Sequence, residues 1–412
     1  MASLTWTRAV AVVAFGGTYL GLALGRLPGF RVDRTGVAII GAATMVVAGV
    51  LPWSEAVAAV DAQTLVLLFG MMIVAAYLRL SGFFHLVTYW AARRARTPRQ
   101  LLAVVIGAAG VLSALFVNDV VCLVLAPVIV EVTRQLRLPP VPYLIALATA
   151  ANVGSVATLT GNPQNMLIGS VSGISYRAFL AKEAPVAALG LAGVFLIVSL
   201  TYRRALVGRL HGAAPDAHFV VHYALLTKTM VAVAVMLVAF LVGVPTALVA
   251  AGGAAYSLLT RRVKPEKVYR EIDWNLLVLF TGLFVVVAGV ERAGLGSDLF
   301  QAAHALALYR PAALTVVVAV LSNLVSNVPA VLLFKPIVAT FGEPTRAWLL
   351  LAMASTLAGN LTLLGSVANL IVLEAARAAR IEVSFAEYAR VGVPLTLLTL
   401  LVGWGLLSVT RL

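Results

Sequence analysis

Four short stretches of this chain set amides, hydroxyls and a carboxylate into otherwise apolar sequence. Asn118-Asp119 sits near the middle of the run 101–133, and Ser326-Asn327 near the middle of 311–340. Asn152, Ser155, Thr158, Gly161, Asn162 and Asn165 crowd the centre of 142–172. Thr356, Asn360, Gly365, Ser366 and Asn369 crowd the centre of 347–374. Such sets support the binding of ions and small molecules. Carbonyl, amide and hydroxyl oxygens suit a dehydrated cation, and the N-termini freed where a helix breaks suit an oxyanion. Bond-breaking chemistry has no comparable set. The sequence contains no HExxH or GxSxG pattern, and its one cysteine, Cys122, excludes a disulfide, a CxxC pair and a cysteine-based metal cluster. The five histidines (His85, His211, His218, His222 and His304) are scattered outside the long apolar runs. These residues predict no enzyme, and no cofactor or metal beyond a coupling ion, Na+ or H+.

The elements that must position them are membrane helices. Of 412 residues, 62% are apolar and 11% charged, where an average soluble chain is about 25% charged. Mean hydropathy is +1.02. A water-soluble fold could not cover so much apolar surface. That excludes a cytosolic enzyme, a disordered chain and a nucleic-acid binder, despite the formal charge of +14. Runs at 9–25, 35–51, 64–80, 142–172, 185–202, 229–243, 245–260, 274–290, 347–374 and 391–410 read as crossings. The runs 101–133 and 311–340 are too long for one crossing: about 30 residues of helix span about 45 Å, against a hydrocarbon core of about 30 Å. Each predicts a re-entrant hairpin that turns at its polar centre and leaves on the side it entered. Gly161 and Pro163 predict a broken helix in 142–172, and 347–374 repeats that pattern. Polar backbone at membrane depth requires burial in protein or a wet cavity.

With the hairpins non-crossing, the loops 26–34, 79–100, 134–141, 203–228, 261–273 and 375–390 share one side and hold 22 of the 30 Lys and Arg. The positive-inside rule makes that side cytoplasmic and both termini extracytoplasmic, in a cell inner membrane. No cleavable signal peptide is evident, since the first apolar run has no basic stretch before it beyond Arg8. Phe83–Arg99 and Leu295–Arg310 mix apolar residues with charges and read as helices lying along the membrane surface.

The two halves repeat. Asp61 to Gly70 matches Asp273 to Gly282 at an offset of 212, as Gly82 matches Gly294. Asn118, Pro127, Ser175 and Pro185 match Asn327, Pro336, Ser384 and Pro394 at 209, and Gly161 to Asn165 matches Gly365 to Asn369 at 204. This predicts an all-α polytopic membrane protein of two repeats, 1–203 and 229–412, joined by a cytoplasmic linker at 204–228. Each repeat holds five crossings, one re-entrant hairpin and one broken helix. An odd number of crossings inverts the second repeat relative to the first, an architecture of secondary transporters.

The quoted motifs carry a resemblance. Val117-Asn118-Asp119, Gly161-Asn162-Pro163-Gln164-Asn165 and Ser326-Asn327-Val328-Pro329 resemble the ion-transporter superfamily over nearly the whole chain. That group includes citrate-type carriers, divalent-anion/sodium symporters, arsenite-efflux permeases and a class of sodium/proton antiporters. Family tips of Ser-Asn-Thr type hold a carboxylate and sodium. Here Val328 replaces the Thr, and the first tip is Asn118-Asp119, which looks more like the arsenite-efflux and sodium/proton branches. The resemblance implies a scaffold, a mobile transport unit, elevator-like movement and a homodimer. It places a small anion near Asn118, Asp119, Asn162, Asn165, Ser326, Asn327, Ser366 and Asn369. The coupling ion falls to Asp119, Asn152, Ser155, Thr158, Gly161, Asn327, Thr356, Asn360 and Gly365. Asp119 could carry a proton, bind a cation, repel a dianion or cap a hairpin arm. Lys335, about 12 Å along a helix from Asn327, predicts a snorkelling cation, or else a fixed charge that assists the anion. The expected function is secondary active transport of a small anion, arsenite included, coupled to H+ or Na+. The competing functions are a sodium/proton antiporter using Asp119, a passive channel and an intramembrane enzyme.

Overall fold

The computed structural model describes residues 2–25, 29–210, 220–338 and 340–409. Arg26, His211, His218, Arg411 and part of the 204–228 linker lie outside the described residues. Among the described residues every regular element is a helix. The first half runs α1 (Ala2–Leu24), α2 (Arg34–Val47), α3 (Trp53–Ala59), α4 (Ala62–Leu80) and α5 (Phe83–Ala92). It continues with α6 (Pro98–Leu115), α7 (Asn118–Gln135), α8 (Val141–Ser155), α9 (Pro163–Val171) and α10 (Tyr176–Thr201). The second half runs α11 (Tyr223–Leu241), α12 (Thr246–Leu258), α13 (Pro265–Tyr269), α14 (Trp274–Arg292) and α15 (Gly296–Ala305). It closes with α16 (Pro311–Val325), α17 (Asn327–Val338), α18 (Pro344–Ala358), α19 (Val367–Ala378) and α20 (Phe385–Val409). α1, α4, α6, α10, α11, α14 and α20 contain stretches long and apolar enough to cross a membrane, while α2, α8, α12, α16 and α17 are apolar and shorter.

Side-chain caps fix where several helices begin. Asp33 accepts the Gly36 N–H, Asp61 those of Gln63 and Thr64, and Asp273 that of Leu276. Thr97 and Ser175 do the same for α6 and α10. Such caps satisfy donors that no intrahelical carbonyl reaches. Ser175 starts α10 nine residues earlier than the expected crossing at 185, with Pro185 inside the helix. Proline favours a helix start, but here the cap overrides it, and Glu183 becomes a helix residue. Pro394 lies inside α20 in the same way.

The arms α6 and α7 fold back on each other, since Leu101 near the start of α6 lines one cleft with Val132 and Thr133 near the end of α7. The breaks fall where expected, α8 ending at Ser155 and α18 at Ala358. α8 is buried from Pro142 to Ser155, and α18 from Ala347 to Ala358. Helices apolar all round belong in the core. Gly154 lets α8 meet α6 backbone to backbone: a Cβ there would stand 2.2 Å from the Gly110 carbonyl oxygen. The outer helices expose Val13, Leu200, Val235 and Leu401, a lipid-facing pattern.

The halves also pack across each other. A Cβ on Gly70 of α4 would lie 2.7 Å from the Ala250 backbone of α12, and one on Gly282 of α14 would lie 2.9 Å from the Ala38 backbone of α2. Both residues of the second contact sit 212 positions from their counterparts in the first.

Candidate functional site

Both hairpin tips and both helix breaks meet at one cavity of about 220 Å³. The N-termini of α7, α9, α17 and α19 all end on it, through Asn118-Asp119, Pro163-Gln164, Asn327-Val328 and Ser366-Val367. Each carries the partial positive charge of a helix N-terminus. Arg34 and Thr35 at the start of α2, and Asp273 and Asn275 at the start of α14, complete the polar wall. At about 30 Å³ per water, the space holds a small polyatomic ion with a few waters, and it is smaller than a typical drug-sized pocket. Ser326 joins α16 to α17 at φ +80°, a conformation L-residues avoid at about 1–3 kcal/mol. Such strain concentrates at binding sites.

Behind the cavity wall lies an amide network centred on Asn152. Asn152 Nδ2 donates to Asn360 Oδ1 (2.9 Å) and Asn369 Oδ1 (3.1 Å), and its Oδ1 accepts from Asn118 Nδ2 (2.9 Å) and Ser366 Oγ (3.0 Å). Four bonds are all that one amide can make. Asn162 Nδ2 and Gln164 Nε2 both donate to Thr356 Oγ1, which ties the first break to α18. The carbonyls freed at the breaks are occupied. Asn165 Nδ2 donates to those of Ser155 (3.1 Å) and Thr158 (3.0 Å), and Asn369 Nδ2 to those of Gly359 (2.8 Å) and Thr362 (3.1 Å). The two sets correspond at the 204 offset. An amide thus fills each place where free carbonyls would hold a dehydrated cation. Asn118 Oδ1 and Asn165 Oδ1 are buried without a partner.

Of the expected residues, Asn118, Asp119, Ser326, Asn327 and Ser366 line the cavity. Asn162, Asn165 and Asn369 are buried in the network behind it, with Asn152, Ser155, Thr158, Thr356 and Asn360. The Gly161 carbonyl accepts the Asn118 N–H at 3.0 Å, and the Gly365 N–H donates to Thr362. Asn327 Oδ1 accepts from Ser322 Oγ at 2.6 Å. Asp119 does not cap its own helix, whose N-cap position is Val117; it lines the cavity beside the start of α19, where Ser366 Oγ accepts the Ala368 N–H. Sequence reasoning missed Arg34 and Asn275, and it took Asp273 only as a repeat marker. The start of an apolar run after Asp33 or Asp273 is a helix-start signal, but nothing in it says that both starts face the same cavity.

Lys335 does not line the cavity. Its Nζ stands 5.9 Å from the Phe284 ring centroid on α14. Lys335→Ala is expected to leave transport within about twofold of wild type, since an exposed cation–π contact contributes only about 0.5–1 kcal/mol. A transport assay with a larger loss would return Lys335 to the site.

A polar cavity ringed by helix N-termini inside an apolar helical bundle defines a multi-pass membrane transporter. The chain belongs to the citrate transporter family (CitMHS), whose model matches residues 19–358. It is 32% identical to a silicon efflux transporter, LSI3, of rice (Oryza sativa subsp. japonica), covering 95% of this chain and 96% of that protein. It is 31% identical to the inner membrane protein YbiR of Escherichia coli K12, covering 85% and 89%. The solved structure of the YdaH transporter of Alcanivorax borkumensis has the same fold, at a TM-score of 0.64 and 17% identity, covering 99% of this chain and 98% of that one. LSI3 and YdaH are named as transporters, and this chain is a transporter and not an enzyme.

Proposed function

We propose that this protein is a secondary active transporter for a small oxyanion or its weak conjugate acid, of arsenite or silicon type, working by alternating access. The observation that carries the reading is the convergence of four helix N-termini and Arg34 on one small cavity. Those groups favour partial negative charge and hydroxyl-rich ligands. The carboxylates of Asp119 and Asp273 on the same wall disfavour a multiply charged anion such as citrate. Similarity to a silicon efflux transporter supports the same class. Protons fit better than sodium as the coupling ion, because amide groups already occupy the carbonyls at both breaks.

Alternating access has support in an asymmetry between related positions. Asp61 Oδ2 accepts from Ser170 Oγ at 2.6 Å and from Thr64 Oγ1 at 2.8 Å, which ties α4 to the end of α9. At Asp273, its counterpart, the cavity opens instead. Exchange of these two arrangements would expose the site to either side. We take the repeats 1–203 and 229–412 as inverted, with α1–α4 and α11–α14 forming the scaffold. The hairpins, broken helices, α10 and α20 move against it as an elevator, within a homodimer. The protein sits in the cell inner membrane with both termini outside. A sodium/proton antiporter using Asp119 is the second reading, favoured by the two cavity carboxylates.

The test uses purified protein in liposomes loaded with arsenite. Transport predicts tracer exchange at equal pH and net accumulation under a pH gradient. Sodium movement without any arsenite exchange would favour the antiporter, and uncoupled flux without counterflow would make it a channel. Arg34→Gln is expected to slow arsenite exchange about fivefold to thirtyfold, since a unit charge on the wall of this partly wet cavity contributes about 1–2 kcal/mol. Faster exchange in that variant would contradict the anion reading.

A further inference from the structure

Glu183 lies within α10, fully buried, and neither of its carboxyl oxygens has a hydrogen-bond partner. Its own helix brackets its position. Seven residues earlier, the Tyr176 hydroxyl pairs with Thr160 Oγ1 at 3.1 Å, in the segment between α8 and α9. Seven residues later, Gly190 packs on Val153 of α8, where a Cβ would approach to 2.6 Å. Residues seven apart share a helix face and are separated by about 10 Å along it. Glu183 therefore faces the end of α8 and the start of the first break, between Val153 and Thr160. The repeat agrees. Gly392, at the 209 offset from Glu183, abuts the second break, with its Cβ position 2.4 Å from the Asn360 carbonyl oxygen. Where the second half sets its smallest residue against the break, the first half sets a carboxyl group.

The ionisable groups on the helices packed against α10 stand elsewhere. Tyr143 of α8 reaches the Pro98 carbonyl at the start of α6, where Arg99 also lies. On α20, Glu387 pairs with Tyr202 at the far end of α10, near Arg390, and Tyr388 packs on Gly392. Tyr223 and Lys228 open α11, and Arg346 of α18 pairs with Glu343. Lys182 is the neighbour in sequence and is half-buried. An ionised carboxylate without a partner is costly at this depth, and a protonated one far less so. Two turns toward the start of α10, a hydroxyl chain runs from Tyr176 through Thr160 to Thr158, the last step at 3.3 Å, and Thr158 donates to the Ala114 carbonyl near the first hairpin tip.

We propose that Glu183 is a second coupling site, a proton carrier loaded on one side and emptied on the other as α10 travels with the broken helices. The proton comes from water on one side, forms an O–H bond with a Glu183 carboxyl oxygen, and returns to water on the other. This rests on the secondary-transport reading above. Wild type, Glu183→Gln and Glu183→Asp are compared in liposomes with arsenite, by tracer exchange at equal pH and by net accumulation under a pH gradient. Glutamine mimics a permanently protonated acid. It is expected to keep exchange within about twofold and to lose accumulation by at least about tenfold, with partial recovery in Glu183→Asp. Wild-type accumulation in Glu183→Gln, or joint loss of exchange and accumulation, overturns the proposal. Absence of both activities in wild type defeats the transport reading itself.

Discussion

Replacing Asn152 by alanine is expected to destabilise the fold by about 2–5 kcal/mol, the largest effect of any single polar truncation in the molecule. Asn152 is 1% exposed and makes four side-chain hydrogen bonds, to Asn118, Ser366, Asn360 and Asn369. Those partners belong to the first hairpin tip and to both sides of the second break. Polar contacts between membrane helices contribute on average about 0.6 kcal/mol each, with a maximum of about 1.7, and the alanine variant loses four at once. Their partners are themselves buried and have no water to turn to, which adds the desolvation of each orphaned group. The measurement is thermal unfolding in detergent, with a fall of about 5 °C or more expected. Ser170→Ala, at the margin of the bundle, provides a reference for the loss of a partly buried hydroxyl. An unchanged melting point for Asn152→Ala would mean that the four bonds do not hold the two halves together.

The sequence made the fold legible because the bilayer restricts the choices. Without water to satisfy backbone groups, apolar runs must be helices, so run lengths and polar interruptions located α1, α4, α11, α14 and both breaks. The hairpin tips were legible for the same reason: Asn118-Asp119 and Ser326-Asn327 have no other place in runs of that length. Short helices such as α3 and α13 were not, since seven and five residues are too few to show a helical period, and they pack on α14 and α4. The site was legible as a set of tips and breaks, and its second layer was not. Amides look alike in sequence whether they line the cavity, as Asn118 does, or bind carbonyls, as Asn165 and Asn369 do. Arg34 shows the converse limit. Counted among the basic residues of a loop, it stands on the cavity wall because α2 begins there and packs on α14. Most of the +14 charge fits an orientation signal, with 22 of 30 basic residues on one set of loops. This one guanidinium also faces the site.

Asp119→Asn is expected to cut transport by about 10–100-fold with little change in stability. The carboxylate is at the second residue of α7 and faces the cavity beside the start of α19. Asparagine has the same shape, so packing at the two helix ends is preserved. The negative charge at two positive helix ends is lost, together with any proton or cation it would hold. Hydrogen bonds to charged groups contribute about 1.5–3 kcal/mol, and each 1.4 kcal/mol is a factor of ten, which sets the expected range. Asp119 differs from Glu183 in lining the cavity proposed to hold the cargo, so its loss is expected to reduce arsenite exchange and gradient-driven accumulation together. Glu183→Gln separates the two. Exchange at wild-type rates in Asp119→Asn, with unaltered dependence on pH and sodium, would remove Asp119 from both binding and coupling. The four helix ends and Arg34 would then have to account for transport alone.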